Sequence, residues 1–580
     1  MDKLKNIILL LVFIKIQIIT AQAPQNIKLD ETIFIHTNGS SFVSGETLQY
    51  KVYCLKSTDK MPSNISKIAY VELVDNDKKS VFKTKIALEN ATGQGDYFIP
   101  TTLKTGNYKL IGYTNWMLNK PTSELFQLDI NIVNPYKTVD TKTTENSLAS
   151  SKNNTEDSSN ASSVTNENVA FNFNKKTFTN RELVDLKIQS ANTIFQDGEY
   201  SLSVRRLDNI PEKDQISAVD FSSKQSYTSI VDLQNQDKKT ILPEIRGEMI
   251  SGKISGKNST DNINNIAIGL SIPGKSFAFK IVKTDSNGNF IFYVNKTYYT
   301  PDVIIHINDE NANNYDLKIN NAPEIDYSNL SFNPNSNLSY TIKESLLDRS
   351  ISAQVENAYY HKKLDNIIKT PTLEPFYFPV AKEYILDDFT RFRTLRETMT
   401  EIATEMYHKQ RGDKTYLFVS DPTHFPQLPE SALVLVDGLY LESQNELMTY
   451  NMKNIYKIDV VVGRYYIGPK SFNGLINFTT FDNDFKSNQT GNAMVKASVL
   501  RPQPKKAYNK ITYTDLTDNE RIPDFRNQLF WNPDVKLNTE SNNSFYTSDL
   551  SGMFEVRLEG FTKTGTPISL KEIIEVKNSL

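Results

Sequence analysis

Residue types that do chemistry are scarce in this 580-residue chain, and where they occur their spacing is poor. Cys54 is the only cysteine, which excludes an intramolecular disulfide, a thiolate zinc site and an iron–sulfur cluster. It lies between Tyr53 and Leu55 in a strand-like run and is expected to be a small buried hydrophobe, not a reactive thiol. The five histidines, His36, His306, His361, His408 and His424, contain no HExxH spacing, and only His408 and His424 are near neighbours. A Gly-x-Ser-x-Gly elbow and a Cys–His arrangement are missing, and no phosphate loop is expected. Glu397, Glu401 and Glu405 fall at i, i+4 and i+8, and paired carboxylates can do acid–base work. No second catalytic residue type accompanies them, so a solvated helix face is expected. Asp285-Ser286-Asn287-Gly288-Asn289 opens like a calcium loop, but its twelfth position is Lys296, where a bidentate Glu is required. A hairpin turn is expected there. The residues therefore predict a non-enzymatic protein with no catalytic residues, no metal and no cofactor.

Such a protein works through its surfaces, and composition says what carries them. Lys and Arg total 65 against 68 Asp and Glu, a net charge of −3, so no overall field gathers phosphate backbones and nucleic acid is not an expected partner. The 29 Tyr and 31 Phe against 10 Met and 2 Trp suit pleated, half-buried surfaces, and mostly β structure is expected. At about 100–200 residues per domain the length argues for several modules.

Lys3 and Lys5 precede an apolar run from Ile7 to Ile19 broken only by Lys15 and Gln17, followed by Ala21 and Ala23. Residues 1–21 are expected to be a secretory signal peptide, and the mature chain to lack a transmembrane segment. Residues 137–168, rich in Ser, Thr, Asn, Lys and Glu and without aromatics, read as a flexible linker. Period-two alternation on either side, as in Leu48, Tyr50 and Val52 or Val169, Phe171 and Phe173, predicts sandwiches at 22–136 and 169–242. Thr394 and Glu397 form a capping box, and Leu395, Met399, Ile402 and Met406 share one face of the helix that follows. Ala432–Val436 is an apolar strand ended by Asp437-Gly438, and Ile455–Val462 another ended by Gly463.

Three stretches carry resemblances. Residues 31–53, with Gly45 and Glu46 in place and Asn38 where an Asp is usual, resemble the second-domain motif of bacterial alpha-2-macroglobulin-like proteins. The reactive thioester of the complete macroglobulin needs a Cys–Gly–Glu–Gln element that this chain lacks. Residues 243–321, with Gly252, Asp285, Gly288 and Phe290, resemble the transthyretin-like carboxypeptidase regulatory domain. Residues 376–484, with ALVLVDGLYLES and the run from Asn454 to Thr480, resemble the plug of TonB-dependent outer-membrane receptors. Only 99 residues follow Phe481, too few for that family's barrel of about 22 strands at about 10 residues each. The whole chain resembles exported multidomain proteins of Bacteroidota that combine such modules.

The expected fold class is mainly β: tandem β-sandwich domains, a connecting segment at 322–375, one small α+β plug-like domain at 376–484, and a C-terminal sandwich at 485–580. The resemblances imply an exported, periplasmic protein associated with the outer membrane, whose plug-like domain docks on or gates a separately encoded β-barrel. Asp437, Gly438 and Tyr440, on a loop expected to be exposed, and Arg464, Tyr465, Tyr466 and Gly468 are the candidate partner-binding residues, Arg and Tyr being favoured at interface centres. The alternative is a carbohydrate- or protein-binding array of sandwiches with the plug-like unit as spacer.

Overall fold

The computed structural model describes residues 30–137, 165–224, 240–332, 342–368, 374–378, 382–421, 429–488, 494–513, 522–537 and 543–578. The expected signal peptide and almost all of the expected linker lie outside the described residues. The chain is mainly β, in several packed sheets.

The first unit is a sandwich. A three-stranded sheet in the order Thr32–Thr37, Thr47–Leu55, Thr92–Phe98 faces a five-stranded sheet that includes Ile68–Val74, Gly106–Tyr113 and Phe126–Val133. Between them lie Phe34, Tyr50, Val71, Leu110 and Ile130, all fully buried. Cys54 is buried in this core, with Glu31 Oε1 3.5 Å from its Sγ, and burial pushes the thiol well above its ordinary pKa.

The next boundaries differ from expectation. Gly198–Arg206 pairs antiparallel with Gly552–Thr562 on one side and Gln528–Val535 on the other, and Thr177–Thr179 pairs with Pro567–Lys577. The stretches expected as two sandwiches, 169–242 and 485–580, thus supply one five-stranded sheet and share one core. The physical reason is that Tyr200, Leu202 and Val204 present one apolar face that needs neighbours on both strand edges, and the chain supplies them from more than 300 residues away. The described residues between 240 and 513 are inserted between the two halves of this split sandwich. The C-terminal stretch is also not self-contained in another respect: Met494–Ser498 completes the four-stranded sheet of the third unit, pairing with Asp302–Ile307.

The third unit packs that sheet on Asn289–Val294, Glu248–Gly256 and Tyr315–Ile319. At its hairpin, Asp285 Oδ1 accepts from the N–H groups of Asn287 and Asn289 at 2.9 and 2.8 Å. This is the turn that the sequence predicts. The fourth unit has a five-stranded sheet in the order Lys382–Ile385, Ile455–Ile467, Lys470–Thr480, Leu433–Val436, Leu439–Tyr440. Its helix Leu395–Glu401 begins with the expected capping box. The helix is shorter than expected: it ends before Ile402, and Met406 opens the strand Met406–Arg411, although Leu395, Met399, Ile402 and Met406 all enter the same core. Glu405 consequently leaves the expected line of carboxylates and accepts from the Tyr384 hydroxyl at 2.7 Å.

The connecting segment holds a 16-residue helix, Lys343–Ala358, that was not expected. It buries Arg349, Ser350, Ser352 and Ala353, while Leu347 and Ile351 are exposed. The apolar residues therefore mark its outer face and hide it from a periodicity argument. Among the described residues no helix is long and apolar enough to cross a membrane.

Candidate binding site at the seam of the inserted units

Leu433–Val436 is apolar at every position because both its faces are covered. Val434 and Val436 enter the core of the fourth unit beside Leu395 and Ile458, whereas Leu433 and Leu435 join Ala267, Phe279 and Ile281 of the third unit. Nine buried residues form that second core. At about 1.5–3 kcal/mol for each large side chain removed from water, the seam binds the two units firmly together.

The Asp437-Gly438 loop lies within this seam. Val436 faces Leu439 across a two-residue turn, with φ +50° at Asp437 and +82° at Gly438. This is the mirror-image hairpin turn for which Asp-Gly is suited. Asp437 is buried, and its carboxylate accepts from Thr480 N at 2.8 Å, Thr480 Oγ1 at 2.6 Å and Phe485 N at 3.0 Å. A Cβ on Gly438 would stand 2.2 Å from Phe277 Cβ. Tyr440 donates its N–H to Ser271 Oγ at 3.1 Å and stacks on His306 at 4.7 Å and Phe279 at 5.2 Å. Burial pushes its hydroxyl pKa up. The loop expected to be exposed is therefore an internal joint, because its aromatic and its glycine are used by the third unit. Gly438→Val is expected to destabilise the seam by about 2 kcal/mol through overpacking and a disfavoured φ. Faster hydrogen exchange in Ala267–Ile272 and Leu433–Val436 is the measurement that checks it, and unchanged exchange would count against it.

The ribbon of Ile455–Ile467 and Lys470–Thr480 divides the remaining candidates by pleat. A bulge between Val461 and Arg464, with Gly463 at φ +92°, carries the ribbon past the core of its own unit. Tyr465 and Ile467 pack on the seam core, Lys470 Nζ donates to Asn308 Oδ1 at 2.7 Å, and a Cβ on Gly468 would meet the Ile281 carbonyl at 2.1 Å. Arg464 and Tyr466 fall on the opposite face, beyond the core that this face covers nearer its base. Tyr466 is 66% exposed, and among the described residues Arg464 has a 3.8 Å ion contact with Glu430. Val462 beside them is also exposed.

A cleft of about 430 Å³ opens at the same seam, lined by Phe277, Tyr377, Asp437, Asp459 and Asn477 among others. Tyr377 donates its hydroxyl to Asp459 Oδ2 at 2.7 Å, and burial pushes its pKa up. Sequence reasoning did not find Tyr377, Asp459, Asn477 or His306. Each is a lone polar residue in an apolar or mixed run, without a motif to mark it. No group of three or more His, Cys, Asp or Glu among the described residues is arranged to hold a metal ion.

No protein-family model matches the chain, and no curated protein matches it. Among solved structures it is similar to the Salmonella alpha-2-macroglobulin reacted with methylamine, at 10% identity and a TM-score of 0.23 over 95% of this chain and 40% of that one. The Escherichia coli alpha-2-macroglobulin activated by porcine elastase gives 8% identity and a TM-score of 0.24 over 95% and 44%. A Listeria innocua beta-glucosidase in complex with gluconolactone gives 13% and 0.12 over 18% and 16%. The chain spans less than half the length of the macroglobulins it matches. Similarity of this degree bears on neither activity nor partner, and the mainly β fold rests on the sheets themselves.

Proposed function

We propose that the chain is a non-enzymatic, exported binding scaffold at the periplasmic side of the outer membrane, whose fourth unit docks on a separately encoded β-barrel. The observation that supports this reading is the ribbon face carrying Val462, Arg464 and Tyr466. It projects beyond its own core with an arginine and a tyrosine in the open, the residue types that dominate interface energetics. The third unit, fused behind it through an apolar core, backs the ribbon, which lowers the entropy lost on docking. Gating, as opposed to docking, would require the seam to open, and the buried Asp437 and the half-buried Tyr440 stacked on the third unit make the seam a joint and not a contact surface.

The test is crosslinking in outer membranes from the native organism, with a tagged chain, followed by identification of what co-purifies. A stoichiometric β-barrel protein is expected, reduced at least about ten-fold by Arg464→Ala/Tyr466→Ala, a pair whose exposure leaves the fold intact. A chain recovered free of any barrel partner, or one whose partner ignores the double substitution, overturns the docking reading.

A further inference from the structure

A second cavity, of about 540 Å³, lies far from the ribbon, where the first sandwich, the helix Lys343–Ala358 and the split sandwich meet. Its volume falls among those of small-ligand sites. Four carboxylates on its walls, Glu46, Asp96, Glu356 and Asp365, are balanced by Arg205, Lys363, Lys506 and Arg526. Each cation is already engaged: Arg205 with Glu46 at 3.1 Å, Lys363 with Glu356 at 2.7 Å, Lys506 with Asp96 at 2.8 Å and Arg526 with Asp524 at 2.6 Å. A phosphate or carboxylate ligand would have to break one of these pairs to gain a partner. An anionic ligand is disfavoured, and a neutral one is not.

The neutral part of the wall carries amides at Gln49, Asn357, Asn509, Asn527 and Gln528, whereas the Asn38 amide is already engaged by Thr47 and Gln49. Asn357 and Asn509 are exposed and Gln49 is half-buried, so their amides are open to the cavity. Amides and carboxylates offer donors and acceptors in fixed planes, and a vicinal diol is both donor and acceptor at each oxygen. The cavity also contains Phe98 and Tyr360, which are 50% and 52% exposed. Large rings left in the open beside amides suit a ligand with polar edges and apolar C–H faces. We propose that this cavity binds a neutral short oligosaccharide, its hydroxyls held by the amides and its ring faces stacked on Phe98 and Tyr360. The site gives chemical content to the binding-array reading and shares no residue with the docking ribbon, so either can fail without the other.

Calorimetric titration of the full chain with neutral hexasaccharides of the cello-, xylo-, manno-, malto- and chito- series tests it. At least one series is expected to bind with a Kd of about 10 μM to 1 mM. Phe98→Ala/Tyr360→Ala is expected to weaken that binding by about ten-fold or more with the melting temperature retained, whereas Arg464→Ala/Tyr466→Ala leaves it unchanged. The proposal is overturned if none of the five series binds, if binding survives loss of both rings, or if a uronic-acid or sulfated oligosaccharide or a charged peptide is preferred.

Discussion

Replacing Glu46 by Ala is expected to destabilise the chain by about 3–5 kcal/mol and to release the helix Lys343–Ala358 from the first sandwich. Glu46 is the hub of a buried charge network. Arg349 donates through Nε at 2.9 Å, Arg205 through Nη2 at 3.1 Å, and Val43 through its N–H at 3.0 Å. Burial pushes the carboxyl upward, but the two guanidinium groups outweigh it and hold its pKa below the ordinary value. Arg349 is 3% exposed at its side chain, and its remaining partners are the Ser41 carbonyl at 2.9 Å and Asp208 at 3.4 Å. Removal of Glu46 leaves Arg349 and Arg205 buried with most of their compensation gone. Little apolar surface holds the helix: Ala353 is its one fully buried apolar residue, with Leu346 and Val355 half-buried. Amide exchange across the helix and the lowest urea midpoint of this multidomain chain are the readouts. Arg349→Met in the Glu46→Ala background is expected to recover part of the loss, because a buried charge is removed with its partner. Unchanged helix protection in Glu46→Ala would show that the network is not what anchors it.

That network also shows where sequence reasoning stops. Gly45-Glu46 is readable as a turn entering a strand, and Gly45 does adopt φ +98°. The role of Glu46 depends on Arg205 and Arg349, which approach from distant parts of the chain, and no local pattern encodes that meeting. Local rules succeed elsewhere: Thr394 and Glu397 close their capping box, Asp285 its turn, and Asp437-Gly438 ends its apolar strand. Period-two alternation identifies Tyr200, Leu202 and Val204 as a strand, yet says nothing of which strands flank it. Domain boundaries drawn along the sequence therefore miss the split sandwich. The apolar run Leu433–Val436 signals burial on both faces, and hence that something must cover the sheet. Without the third unit in view, the turn at its end looked like a free loop. Arg464 and Tyr466 were identified by residue type and are exposed. Tyr465, chosen by the same criterion, packs on the seam because it is one pleat out of step.

Acidification from pH 7 to pH 4 is expected to weaken the seam by about 3 kcal/mol through His306 alone. Burial lowers this histidine to about 3, with Lys470 adding to the effect, and its Nε2 has no partner in the described structure. The unfolded chain takes up a proton near pH 6.5, so between about 3 and 6.5 the unfolded state binds more protons and stability rises with pH. The contribution is complete above 6.5 and is lost as pH falls through the window. His36, buried where the first and split sandwiches meet and sharing a 2.6 Å hydrogen bond with Ser201, is also lowered, by burial and then by Arg557. It adds a slope of the same sign. Glu244 acts in the opposite sense: burial raises it to about 7, with Tyr70 and Met249 N donating at 3.1 and 2.9 Å. Its contribution is complete below the ordinary carboxylate value and is lost as pH rises through about 7. The two residues therefore give variants with opposite outcomes in one experiment, melting temperature followed from pH 4 to pH 7. His306→Leu, which fills the stack without a titrating group, is expected to flatten the curve. Glu244→Gln, which keeps an acceptor and removes the proton, is expected to steepen it. A His306→Leu curve as steep as that of the unaltered chain would mean that this histidine does not hold the seam's pH dependence. A Glu244→Gln curve no steeper would mean that the buried carboxyl is not protonated in the folded state near neutrality.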